Sequence, residues 1–147
     1  MAVRLPSLKK RKAPDHKEWR LHTALVEHLT RACCRGVFWF HPANDSRRSA
    51  RQGARLKAMG MKAGVGDLVL IAVGAPPLML ELKAAKGKQT ESQRLIERHW
   101  KAAGGQYEVA TGIDEAIAAL VAYGALPEGY AFVPSRRLQG RLALEAA

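Results

Sequence analysis

Glu81-Leu82-Lys83 closes an otherwise apolar run, Leu78 to Leu80. Side chains two apart on a strand share a face, so Glu81 and Lys83 point together and Leu82 points away. An acid and a base at the end of an apolar strand are costly unless they pair or bind a metal. On its own such a pair also suits an ordinary surface ion pair on an edge strand, so its weight rests on what else converges there. Asp67 follows Gly64-Val65-Gly66 and lies 14 residues before Glu81. Two carboxylates and a lysine at one strand end make a hard-cation site of the Mg²⁺ type, with oxygen ligands and retained waters. A metal so held polarises a phosphate oxygen and acidifies a bound water. The lysine orients or deprotonates that water and offsets charge at the phosphorus. The set is a workable design for hydrolysing a phosphodiester.

These residues must be positioned by a hairpin. Leu68 to Val73 reads as a buried strand, Gly74 to Pro77 as its turn and Leu78 to Lys83 as the return strand, since so short a connection joins antiparallel neighbours. The register stays open. A three-residue loop pairs Val73 with Pro77 and sets Asp67 opposite Lys83, on the face of Glu81. A four-residue loop pairs Val73 with Leu78 and sends Asp67 to the other face. Around the hairpin, Asp15 to Cys34 reads as a helix with an apolar stripe of Leu21, Leu25 and Leu29, and Val37 to His41 as an aromatic strand. Arg47 to Met59 reads as a short basic helix. Thr90-Glu91-Ser92-Gln93 has the pattern of a capping box opening a helix. Gln106 to Ala110 reads as a strand, and Ile113 to Val121 as an amphipathic helix. The order predicts a mixed α/β (α+β) domain, a small sheet with an antiparallel hairpin flanked by helices.

The 147 residues suit one domain. Residues 1–62 carry 15 basic and 4 acidic side chains, whereas residues 63–147 carry nine of each. The net charge of +11 therefore belongs to the first part of the chain, where it would attract a polyanion, most commonly nucleic acid. Aromatics at 6% argue against a single-strand binder built on stacking. No apolar run is long enough to cross a bilayer, so no membrane is expected. The charged N-terminus predicts no secretory signal, and the adjacent Cys33 and Cys34 fit no metal-finger spacing. A cytoplasmic setting follows as the expectation.

The stretch from Asp15 to Tyr123 resembles the VRR-NUC nucleases of the PD-(D/E)xK, restriction-endonuclease-like superfamily. The resemblance is carried by Glu18 and His22, by His41-Pro42-Ala43-Asn44 with Arg48, and by Arg55 to Gly60. Gly64-Val65-Gly66-Asp67, Glu81-Leu82-Lys83, Gly87 to Gln93 and Gly104-Gly105 complete it. It implies a restriction-endonuclease-like core and a metal-dependent DNA endonuclease using Mg²⁺ or Mn²⁺. It implies Asp67, Glu81, Lys83 and Gln93 as catalytic residues. Glu18, Asp67, Glu81 and the backbone carbonyl of Leu82 would be the metal ligands. Small phage and bacterial stand-alone members of this kind imply branched or duplex DNA as substrate, a homodimer, and a role in replication, recombination or repair. Two positions depart from the family pattern: Gly66 stands where proline commonly precedes the aspartate, and His22 where glutamine is frequent.

His41, Asn44, Arg48, Arg51, Arg55, Lys57 and Lys62 are the expected DNA contacts, the basic ones positioning phosphates without reading bases. Residues 1–14 read as a basic tail, 15–123 as the nuclease domain and 124–147 as an extension, helical or loose. Two rivals remain: a non-catalytic basic nucleic-acid-binding protein on the same fold, and an RNA-processing factor. Paired acids argue against the first, because a pure binder has no use for carboxylates facing its own polyanion.

Overall fold

The structure is a computed structural model that describes residues 16–43 and 49–131. The basic tail, Asn44, Arg48 and the C-terminal extension beyond residue 131 lie outside the described residues. The elements run α1 (His16–Ala32), β1 (Val37–Phe40), α2 (Ala50–Ala58), β2 (Leu68–Ala72), β3 (Leu78–Leu82), α3 (Glu91–Ala102), β4 (Gln106–Ala110) and α4 (Ile113–Tyr123). This is the mixed α+β order that the sequence predicts. The sheet runs β1-β2-β3-β4, antiparallel across the first two junctions and parallel between β3 and β4. The parallel junction needs a crossover, and α3 supplies it.

Leucine alternation builds the larger core. Leu68 and Leu70 of β2 and Leu78, Leu80 and Leu82 of β3 pack against Leu25 and Leu29 of α1 and Ile117 and Leu120 of α4. On the opposite face Val69, Met79 and Tyr107 pack with Ile96 and Trp100 of α3. β3 is buried at every position, as a central strand covered on both faces must be. Among the described residues no helix is long and apolar enough to cross a membrane.

The hairpin register differs from both loops expected of it. Leu70 pairs with Leu78, Val69 with Met79 and Leu68 with Leu80. Residues 71–77 therefore connect the two strands on the β3 side. Pro76 and Pro77 have no N–H to give to a ladder, so pairing with β3 cannot begin before Leu78. Ile71 and Ala72 still pair with β1. Carried one step further, this register sets Asp67 opposite Glu81, not Lys83. The shift from the three-residue alternative is two residues, so the parity of Asp67 is kept.

α1 is tied to the chain that follows α4. Cys34 donates its N–H to the Ala125 carbonyl (2.9 Å), and His28 Nδ1 shares a hydrogen bond with the Tyr130 hydroxyl at 2.6 Å. Burial, and then the nearby Arg31 charge, hold His28 below the ordinary histidine range, against a smaller opposing pull from Glu27. The folded chain thus refuses a proton that the unfolded chain accepts below about pH 6.5. The stability this gives is present above that pH and is lost as pH falls through the lowered folded value. His28→Gln is expected to shrink the drop in melting temperature between about pH 7 and pH 5. Equal drops in variant and wild type, measured by circular dichroism, would contradict this.

Candidate active site

β3 ends where α3 begins, and that junction holds the charged groups. Glu81 is 3% exposed and Lys83 is 8% exposed. Lys83 Nζ lies 2.9 Å from Glu81 Oε1, and the Gln93 side-chain amide donates to the same oxygen. Gln93 is placed by the capping box of α3. Thr90 accepts from the Gln93 N–H, while Gln93 Oε1 accepts from the Thr90 N–H at 2.8 Å. One side chain therefore both caps the helix and braces the acid, so capping and site roles coincide.

Asp67 is held against the end of the same strand. Its Oδ2 accepts the Leu82 N–H at 2.7 Å. In an extended strand the N–H and C=O of one residue point to the same side, so the Leu82 carbonyl lies on the Asp67 side. Lys83, one residue on, gives its N–H to Ala110 of β4 (2.8 Å). Two histidines flank Asp67. His22 Nδ1 stands 3.9 Å from Asp67 Oδ1, and His41 Nδ1 is 2.6 Å from the Asp67 carbonyl oxygen. The two rings meet edge to face with centroids 4.5 Å apart. His41, expected to touch DNA, is in this arrangement first a brace for the Asp67 backbone. Glu18 reaches the same end from α1, its Oε1 3.5 Å from the Ala84 N–H.

Two glycines let the approach to Asp67 run close. At Gly64 (φ +86°) a Cβ would collide with the Ser92 carbonyl and lie 2.7 Å from the Gln93 nitrogen. At Gly66 a Cβ would lie 2.7 Å from Met79 Cγ and 3.0 Å from the Leu80 carbonyl oxygen. Glycine in place of the expected proline thus seats this loop directly on β3.

Burial opposes the Lys83 ammonium, but the Glu81 hydrogen bond and the charges of Glu81, Glu18 and Asp67 outweigh it and raise its pKa. Lys83 is therefore a held cation. Orienting water and offsetting charge both fit an ammonium held in this way. The structure brings together Glu18, Asp67, Glu81, Leu82, Lys83 and Gln93. Arg51, Arg55 and Lys57 are exposed on α2, with Lys62 exposed just beyond it. That helix is capped by Ser49 and Gln52 and buries none of its residues. Thr90, which seats Gln93, is readable as a cap in the sequence. Its effect on Glu81 is not.

The candidate ligands Glu18, Asp67, Glu81 and the Leu82 carbonyl offer oxygens, which suits Mg²⁺ or Mn²⁺. Among the described residues no group of three or more His, Cys, Asp and Glu is arranged to hold a metal by itself. Magnesium commonly uses one or two carboxylates and fills its remaining positions with water and substrate phosphate, and Asp67 and Glu81 meet that need.

Comparison with family models finds no match, and comparison with curated proteins finds none that is significant. Among solved structures, a "VRR_NUC domain protein" aligns with a TM-score of 0.60. The alignment is 23% identical and covers 74% of this chain and 88% of that one. The chain has the VRR_NUC fold. In that fold the four-stranded sheet with β4 parallel to β3 is the platform on which Asp67, Glu81 and Lys83 meet.

The buried pair makes a measurable demand on stability. Lys83→Ala would leave a carboxylate buried without its counter-charge, at an expected cost of about 3–5 kcal/mol. Glu81→Gln combined with Lys83→Met removes both charges and is expected to stay within about 1 kcal/mol of wild type. Urea denaturation compares them, and a Lys83→Ala protein as stable as wild type would overturn the pairing.

Proposed function

We propose that the chain is a divalent-metal-dependent endonuclease that hydrolyses phosphodiester bonds in DNA, acting on branched or duplex substrates. One observation carries this reading. Asp67 and Glu81 converge on the end of one buried strand beside a lysine paired with Glu81, in a chain with the VRR_NUC fold. Carboxylates facing a polyanion are repulsive unless a cation stands between, so the arrangement makes sense as a metal and phosphate site.

Asp67, Glu81 and the Leu82 carbonyl would hold Mg²⁺ or Mn²⁺, with Glu18 at the rim. When bound, the metal supplies Lewis-acid polarisation of the phosphate and an acidified water. The protein's own groups do the rest. Gln93 keeps Glu81 oriented through the helix cap. Lys83, held beside Glu81, offsets charge building on the phosphate oxygens. His41 fixes the backbone of Asp67. Arg51, Arg55, Lys57 and Lys62 neutralise backbone phosphates, with Asn44 and Arg48 as further contacts, and so hold the duplex without selecting a sequence.

Asp67→Asn and Glu81→Gln are expected to abolish cleavage under Mg²⁺ while still binding DNA. The amides are chosen because glutamine at position 81, unlike alanine, keeps an oxygen for Lys83 to donate to. Binding by these inactive proteins should fall about 10³-fold between 50 and 200 mM salt if some six phosphates are covered. Gel assays on branched, linear and single-stranded DNA test both features. Cleavage at the wild-type rate by either variant defeats the metal-site assignment. Tight binding without cleavage by the wild type would favour a non-catalytic binder.

One site cuts one strand, so paired cutting needs two copies, most simply about a two-fold axis. We infer a homodimer through β1. That strand is an edge of the sheet, and Phe38 on it is 64% exposed beside exposed Phe40 and Ile71. An apolar sheet face beside an edge strand, left open by the described residues, is what a monomer avoids. Sedimentation at micromolar concentration is expected to give a dimer that Phe38→Asp dissociates, and a wild-type monomer both free and on a four-way junction would refute it.

A further inference from the structure

Tyr107 carries a hydroxyl that the fold leaves unanswered. It lies on β4, is 4% exposed, and its oxygen has no hydrogen-bond partner among the described residues. A phenylalanine would fill the same space without burying an unmet polar group. The surroundings are not apolar throughout. β4 pairs Tyr107 with Met79 and Val109 with Glu81, so Tyr107 and Glu81 stand on the α3 face of adjacent strands, two residues apart in register. Burial first, and then the negative charge of Glu81, raise the phenol's pKa. Gln89 opposes this, and Glu97 and Asp67 add smaller contributions. Gln89 stands near the phenol without reaching hydrogen-bond geometry to it, and its amide nitrogen donates to Glu97 Oε2 at 2.9 Å. Carboxylates and an amide thus converge on one buried phenol.

Resting on the nuclease reading above, we propose that Tyr107 is a positioning residue for Glu81: its hydroxyl holds a buried water that in turn donates to the Glu81 carboxylate. A buried water needs two to four polar partners, and Tyr107, Glu81, Glu97 and Gln89 can provide them. Lys83 and Gln93 both bind Glu81 Oε1. A water from the sheet side gives the carboxylate a further restraint, which fixes its plane toward a cation. Such outer partners set ligand orientation without touching metal or substrate.

The test uses the full chain, with Tyr107→Phe compared to wild type. Mn²⁺ alone is titrated into DNA-free protein and followed by its electron paramagnetic resonance. Removing the hydroxyl is expected to weaken Mn²⁺ binding about tenfold. Cleavage should slow at limiting Mn²⁺ and recover when Mn²⁺ is raised, and metal-free DNA binding should be unchanged. A purely structural tyrosine would not show recovery by metal. Equal Mn²⁺ affinity in variant and wild type overturns the proposal, even if cleavage is normal in both. Should wild type bind Mn²⁺ but cut nothing, the nuclease reading fails, and the affinity comparison still decides Tyr107. A wild type that binds no Mn²⁺ defeats both. If Tyr107→Phe does not fold, Gln89→Leu removes another partner of the same water, with the same expected and contrary results.

Discussion

The Glu81–Lys83 ion pair, buried at the end of β3, is the constraint around which this molecule is arranged. Taking two charges out of water costs several kcal/mol per ion, and their attraction repays this only with good geometry and further hydrogen bonds. Gln93 gives the carboxylate one such bond. Gln93 can do so only because α3 starts at Thr90, and α3 can sit there only because Gly64 lets the preceding loop touch its first turn. The same loop delivers Asp67 to the Leu82 N–H. Fold and site are thus one network, and a change at any of these points reaches the charged pair.

Charge is divided by place. Glu18, Asp67 and Glu81 are gathered at the end of β3, whereas the excess of basic residues lies before residue 63. On α2 these basic side chains are exposed on a helix that buries nothing. With these side chains turned outward, the composition of α2 suits a polyanion. The acidic centre would repel that polyanion, so the proposed cation resolves a conflict built into the surface.

Much of this was legible in the sequence. The length and β-branching of the Leu68 to Val73 run, with the short turn after it, located both hairpin strands, and the Thr90–Gln93 box located the start of α3. Strand β4 falls at Gln106–Ala110, as its pattern predicts. The register of the hairpin was not legible, because both faces of β2 and β3 are apolar and no polar residue penalises a slip. The two prolines, by lacking an N–H, keep pairing from starting before Leu78, which a hydrophobic pattern does not register, and they leave its partner on β2 open. Long-range contacts were also hidden. His22 and His41 are 19 residues apart and belong to different elements, yet they meet at Asp67. Tyr107 reads as an ordinary strand aromatic until β4 is laid beside β3.

The central claim is that this strand end promotes attack of water on a phosphodiester. The most direct measurement is cleavage of branched, linear and single-stranded DNA in water labelled with heavy oxygen, with and without Mg²⁺, followed by mass analysis of the product ends. Mg²⁺-dependent products are expected in which each new terminal phosphate carries one oxygen from solvent. DNA left intact in every form, or ends that carry no solvent oxygen, would contradict it.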